Sequence, residues 1–215
     1  MNISTAGVRK SGLPDGFVYI DEIIEDCIVD AKYWGTDNFT GRRIDGYESP
    51  LAIMTREAAE CCVRAAEILR GQGYCMKIYD AYRPQRAVDD FIRWAADPDD
   101  IRRKPIHYPH VDKKDLFALG YLAEKSSHSR GSAVDLTLVN MATCQELDMG
   151  SVFDFMDPRS HIDARPLSDW KQGISRIILS EAMTDSGFET YEYEWWHFFL
   201  KEEPYPETYF DFPVR

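Results

Sequence analysis

No run of 18 or more consecutive apolar residues occurs in this 215-residue chain, so it predicts no membrane-spanning helix. Its first residues, MNISTAGVRKSGLPDGF, lack the apolar core of a secretory leader. Cysteines number five, an odd count, and no two share the C-x-x-C spacing of a zinc knuckle. A disulfide framework is therefore not expected; the thiols read as reduced, and a cytoplasmic location follows. Basic residues are outnumbered 25 to 37, and the formal net charge of −12 argues against nucleic acid and against an anionic membrane surface. An anionic substrate stays open, because one buried Arg can override the global field locally. Repeats, low-complexity tracts and linkers are absent, as is the H-E-x-x-H helix of many zinc peptidases.

What remains is one domain with ample residues for a core. Residues 1–16, polar and bearing Gly and Pro, read as a loose extension, with the domain over 17–215. Phe17 to Ile24 reads as a strand. Thr55 to Leu69 reads as a helix, with Thr55 as cap, Gly71 as stop, and Ala59, Cys62, Val63, Ala66 and Leu69 as one stripe. A strand over 74–79 leads to Asp80-Ala81-Tyr82-Arg83, then a helix from Pro84 to about Ala96. Residues 97–115 read as a long surface loop, 133–139 as a strand, 174–183 as a helix and 191–200 as a strand. This order predicts an α+β domain, an antiparallel sheet flanked by helices, with a zinc site on the sheet.

The chemistry concentrates in two places. Ser126-Ser127-His128-Ser129-Arg130-Gly131-Ser132-Ala133-Val134-Asp135 offers an imidazole and a carboxylate, joined through a turn at Gly131. Glu194-Trp195-Trp196-His197 offers another of each. Two His and one acid leave a position open on a tetrahedral zinc ion, as hydrolysis requires. Such an ion brings the pKa of bound water towards about 7 and polarises a carbonyl. His128, Asp135 and His197 are then the ligands, with Glu194 the general base. Glu194 and His197 are three apart and would face opposite sides of a regular strand, so an irregularity is expected at Trp195-Trp196. Arg83 reads either as a helix-terminal ion-pair partner or as the group that binds a substrate carboxylate or an oxyanion. Asp154 reads as a turn residue or as the binder of a substrate ammonium. His107, His110 and His161 are weaker candidates, solvated or in support.

At these residues the chain resembles the D-alanyl-D-alanine dipeptidases of the type found in vancomycin resistance. They belong to the wider zinc D-Ala-D-Ala peptidases, which share a fold with the hedgehog signalling domain. The pattern S-x-H-x-x-G-x-A-x-D is met by Ser126, His128, Gly131, Ala133 and Asp135, and E-x-x-H by Glu194 and His197. The likeness continues through Asp30-Ala31-Lys32-Tyr33, Tyr82-Arg83-Pro84, Phe153 to Asp157 and the tail from Glu203, covering essentially 17–215. It implies one zinc ion per chain on His128, Asp135 and His197, Glu194 as base, and Arg83 stabilising the transition state. It also implies that Tyr33 and Asp154 meet the ammonium end of a dipeptide, and that Ser126 and Arg83 meet its carboxylate end. The implied partner is a small dipeptide, with neither nucleic acid nor membrane. Two rivals stay open: an open-cleft zinc carboxypeptidase or endopeptidase on peptidoglycan, and a zinc-binding interaction domain without catalysis.

Overall fold

The computed structural model describes residues 12–215; the expected loose extension lies, over residues 1–11, outside the described residues. Leu13 already packs on the core, and the Gly16 carbonyl accepts from the Arg56 amide.

Among the described residues, thirteen α-helices and β-strands build an α+β architecture. The chain begins with β1 (Phe17–Tyr19) and α1 (Ile20–Ile23), followed by β2 (Ile28–Val29), β3 (Ile53–Thr55) and α2 (Arg56–Gly71). Next come β4 (Tyr74–Asp80), α3 (Gln85–Ala96), α4 (Lys104–His107), β5 (Ala133–Asn140) and β6 (Gln145–Glu146). α5 (Trp170–Asp185), β7 (Phe188–Tyr191) and β8 (Glu194–Leu200) complete it. The main sheet runs β2-β4-β5-β8-β7, with β6 beside β5, while β1 and β3 form a separate antiparallel pair.

The sheet is antiparallel except at one edge, where β2 lies parallel to β4. A parallel pair needs a long crossover, and the segment containing β3 and α2 supplies it. α2 is capped by Thr55, whose hydroxyl accepts from the Ala58 amide. Its buried face is mostly small (Ala58, Ala59, Cys62, Ala65, Ala66), closed by Leu69, so it lies close against its neighbours. α5 starts four residues before its expected position, because Asp169 and Gln172 form a reciprocal capping box ahead of it.

Three sequence expectations change. The strand expected over 17–24 ends at Tyr19 and turns into α1. Ile20 and Ile24 are both buried with exposed residues between them, a period of four rather than two. The stretch 97–115 is not all loop: α4 forms with Pro105 in its first turn, and a 3-10 turn spans Lys113–Asp115. The strand expected over 191–200 is a hairpin, split between the end of β7 and all of β8.

The loop after β2 carries Tyr33 and is pinned to α3 by charge. Arg42 grips the buried Asp90 through both guanidinium arms, at 2.6 and 2.8 Å. The Asp45 amide and Arg93 complete that carboxylate's shell. Burial pushes the Asp90 carboxyl up, but the Arg42 hydrogen bonds, the Asp45 amide and the two guanidinium charges outweigh it and hold it below the usual range. A depressed folded pKa means stabilisation that is complete above the unfolded value of about 3.9 and lost as pH falls through the folded one. Replacing Asp90 with Asn should cost about 2 kcal/mol near neutrality, the size of charge-assisted hydrogen bonds. The gap to the unsubstituted protein should narrow steadily below about pH 4. Urea unfolding of both proteins at pH 7 and pH 3 measures the cost and its loss.

Candidate active site

The site lies where three neighbouring strands come together at one end. In register, Asp80 at the end of β4 faces Asp135 on β5, and Asp135 faces His197 on β8. Two irregularities make this convergence possible. β4 slips by one residue between Ile78 and Asp80. On the far side, Thr190 pairs with Phe198 but Tyr191 pairs with Glu194, so Trp195 to His197 have no partners on β7. The irregularity expected between Glu194 and His197 is present, and it includes His197 itself.

His128 arrives on a 3-10 turn, Ser127–Arg130. Ser126 caps the turn with its hydroxyl, 3.3 Å from the His128 amide, and Gly131 ends it at φ 85°. A Cβ on Gly131 would run into the Phe17 ring and lie 3.2 Å from Thr55. Glycine is thus demanded by backbone conformation and by space together. Residues 203–214 seal the turn from outside. Phe210 donates its amide to the Ser129 carbonyl at 2.8 Å, Glu203 pairs with Arg130, and Phe212 stacks on Tyr82 at 4.0 Å.

The three expected metal ligands meet. His128 Nε2, Asp135 Oδ1 and His197 Nδ1 lie 2.9 to 3.2 Å from one another. His128 Nδ1 donates to the Ala81 carbonyl at 2.6 Å, which leaves the Nε2 lone pair facing inward. Ser127 Oγ stands 3.2 Å from the outer nitrogen of His197 and fixes that ring. Two nitrogen lone pairs and a carboxylate oxygen converging on one point fit a cation. A tetrahedral ion with bonds of about 2.0–2.1 Å keeps its ligand atoms about 3.3 Å apart, close to the spacing here. Among the described residues, these three form the group able to hold a metal ion.

Every expected site residue lines one cavity of about 340 Å³: Tyr33, Arg83, Ser126, His128, Asp135, Asp154, Glu194 and His197. Glu194 stands beside the ligands, its carboxyl pushed up to about 7 by burial, with the Asp135 charge adding to the effect. Arg83 is largely buried and makes the expected ion pair: Nε donates to Asp80 at 2.9 Å, while the other arms reach Ser126 at 3.5 Å and Asp135 at 3.4 Å. At the opposite wall, Asp154 accepts from the Tyr33 hydroxyl at 3.0 and 3.2 Å. Burial, reinforced by Asp135 and Glu194, holds the Asp154 carboxyl well above the usual range.

Sequence reasoning missed the supports. Asp80 aims Arg83 and is itself held by the Tyr47 hydroxyl at 2.6 Å. Its place three residues before Arg83 was a usable signal; that of Tyr47, far away in the chain, was not. Of the weaker histidines, His107 is buried behind Asp154, His161 bonds the Tyr121 hydroxyl at 3.1 Å, and His110 is exposed.

Comparison with known proteins finds relatives over nearly the whole chain. A family described as D-ala-D-ala dipeptidase matches residues 14–215. The D-alanyl-D-alanine dipeptidase of Enterococcus faecium is 48% identical over 200 residues, covering 93% of this chain and 98% of its own. That of Enterococcus faecalis is 45% identical, covering 94% and 100%. The Streptomyces coelicolor protein of the same description is 44% identical, covering 92% and 98%.

Gly131 supplies a test of the frame that is independent of any chemistry. Gly131→Ala should lower stability by about 2–4 kcal/mol, from left-handed strain and overpacking against Phe17. Gly73 has a similar φ of 87° with open space around a Cβ, so Gly73→Ala carries the strain without the collision and should cost less. Chemical denaturation of the two variants separates the contributions.

Proposed function

The chain belongs to the D-Ala-D-Ala dipeptidase family, and from that premise we propose that it is a zinc dipeptidase hydrolysing D-Ala-D-Ala to two D-alanines. The observation that carries this reading is the convergence of His128, Asp135 and His197 on one wall of a small cavity whose other walls offer a base, a guanidinium and a buried acid. In this reading the catalytic domain spans 17–215. A zinc ion held by the three ligands, one per chain, would supply a Lewis acid and an acidified water.

The chain's own residues do the rest. Glu194, with a carboxyl poised near the working pH, takes the proton from the attacking water and returns it to the leaving amine. Arg83, locked by Asp80, donates to the oxyanion that forms at the scissile carbonyl. Its remaining arm and Ser126 receive the substrate carboxylate. Asp154 and Tyr33 receive the ammonium. A buried carboxyl whose pKa is raised gains most from a cation brought to it. At about 340 Å³ the cavity sits at the small end of ligand pockets, of order 300–1,000 Å³. Reading both termini in so small a space selects a free dipeptide over a longer peptide. Nucleic acid and membrane have no place in this reading; among the described residues no helix is long and apolar enough to cross a bilayer. The five free thiols support placing the enzyme in the cytoplasm.

Release of D-alanine by the zinc-loaded protein from D-Ala-D-Ala, N-acetyl-D-Ala-D-Ala and a muramyl pentapeptide tests the assignment. Cleavage of the free dipeptide alone is expected; cleavage of the blocked or longer compounds would indicate a carboxypeptidase, and no cleavage with zinc bound an interaction domain. Replacing Glu194 with Gln should leave zinc bound, by elemental analysis, and lower kcat by about 10²–10⁴-fold. An unchanged rate would remove Glu194 as the base.

A further inference from the structure

Asp154 has a backbone feature that its side-chain role does not explain. Its φ is 57°, in the left-handed region, and among the described residues only Cys144 shares this without being glycine. Cys144 lies in an exposed turn, whereas Asp154 is buried with its carboxyl in the cavity wall. Such a conformation persists only where surroundings impose it.

The surroundings are one turn of α4 and the residue before it. The His107 carbonyl accepts from the Met156 amide at 2.7 Å, and His107 Nδ1 lies 3.2 Å from the Asp154 carbonyl. The chain from 154 to 156 is thus gripped at both ends by a single residue. The tautomer is also fixed. Arg103 Nη2 stands 3.0 Å from His107 Nε2, and a guanidinium can only donate. His107 Nε2 must accept, so the ring proton sits on Nδ1 and points at Asp154. Burial, with the Arg103 charge adding to it, pushes the imidazole down to about 4 and keeps it neutral.

Arg103 is held in turn by the loop that carries Tyr33. Its Nη2 pairs with Asp37 at 2.9 Å, and its Nε donates to the Asn38 carbonyl at 3.0 Å. The Asn38 amide ties that loop together through the carbonyls of Lys32, Gly35 and Arg42, the segment that carries Tyr33. One short element therefore braces both members of the Tyr33–Asp154 pair.

We propose that His107, backed by Arg103, is a positioning residue for recognition of the substrate amine. It donates to the Asp154 carbonyl and holds that residue in the left-handed conformation that presents its carboxyl to Tyr33 and the cavity. The proposal rests on the reading of Tyr33 and Asp154 as the ammonium site. His107 touches neither substrate nor metal ligands; it acts through backbone.

Two near-isosteric substitutions separate position from mere packing. Asn carries its N–H about where imidazole Nδ1 stands, and Gln carries it about where Nε2 stands. Steady-state kinetics on D-Ala-D-Ala, with zinc content and melting temperature for each protein, compares His107→Asn, His107→Gln and His107→Ala with the unsubstituted enzyme. Gln and Ala should raise KM about tenfold, the scale of one lost hydrogen bond, with kcat within about twofold. Asn should restore KM to within about threefold of the starting value. Equal KM values for Asn and Gln, or a fall in kcat or zinc content with KM unchanged, overturn the positioning role. Should the unsubstituted enzyme fail to discriminate D-Ala-D-Ala from its N-acetyl derivative, the ammonium reading falls and the positioning role falls with it. The two failures are thus told apart by the parent protein alone.

Discussion

Three buried acidic side chains, Asp80, Asp135 and Asp154, and the half-buried Glu194 surround one largely buried guanidinium, that of Arg83. Buried charge is tolerated only when it is paired and hydrogen-bonded, and Arg83 alone cannot pair with all four. Asp80 and Asp135 take its donors, and Asp154 and Glu194 are driven towards their neutral forms. In the proposed reaction a dication on the His128 side and an ammonium on the Asp154 side offset the excess of acids, and Glu194 is then able to ionise and act as base. In that reading the same negative surplus favours a metal at one end and a cationic substrate terminus at the other.

The sheet sets the distances at which this balance works. Asp80, Asp135 and His197 are neighbours across adjacent strands, where spacing of about 4.7–4.9 Å leaves little freedom. The slip at Ile78/Asp80 and the three residues of β8 left without partners on β7 turn side chains that a regular ladder would face away. Rigidity comes from regular pairing deeper in β4 and β5, and aim comes from its interruption at the rim. The remaining groups, on loops, are held by side-chain bonds to backbone: Ala81 for His128, Asn38 for the Tyr33 loop, His107 for Asp154.

Legibility followed the range of the interactions involved. Caps, stripes and stops within a few residues placed α2, α3 and β5 close to where they stand. The three-residue spacing of Glu194 and His197 announced a break in the strand between them. The residues that converge on the cavity were readable because two short patterns hold most of them. Contacts distant in the chain were not readable. That Ile20 and Ile24 share a buried face depends on what lies beneath them, and α4 forms inside a polar stretch because it docks on the Asp154 and Asn38 loops. Asp80 opens the run to Arg83 that leaves the strand, but the hydroxyl that holds it belongs to Tyr47, on a different loop. The parallel placement of β2 is likewise set by the crossover and not by its two residues.

The seal formed by residues 203–214 has a meaning in time as well as in space. These residues supply the outer wall of the His128 turn and the stacking partner of Tyr82, next to Arg83. During translation, the histidines, the acids and the arginine emerge before that wall does. The segment that encloses the His128 turn is thus encoded after every residue of the proposed site.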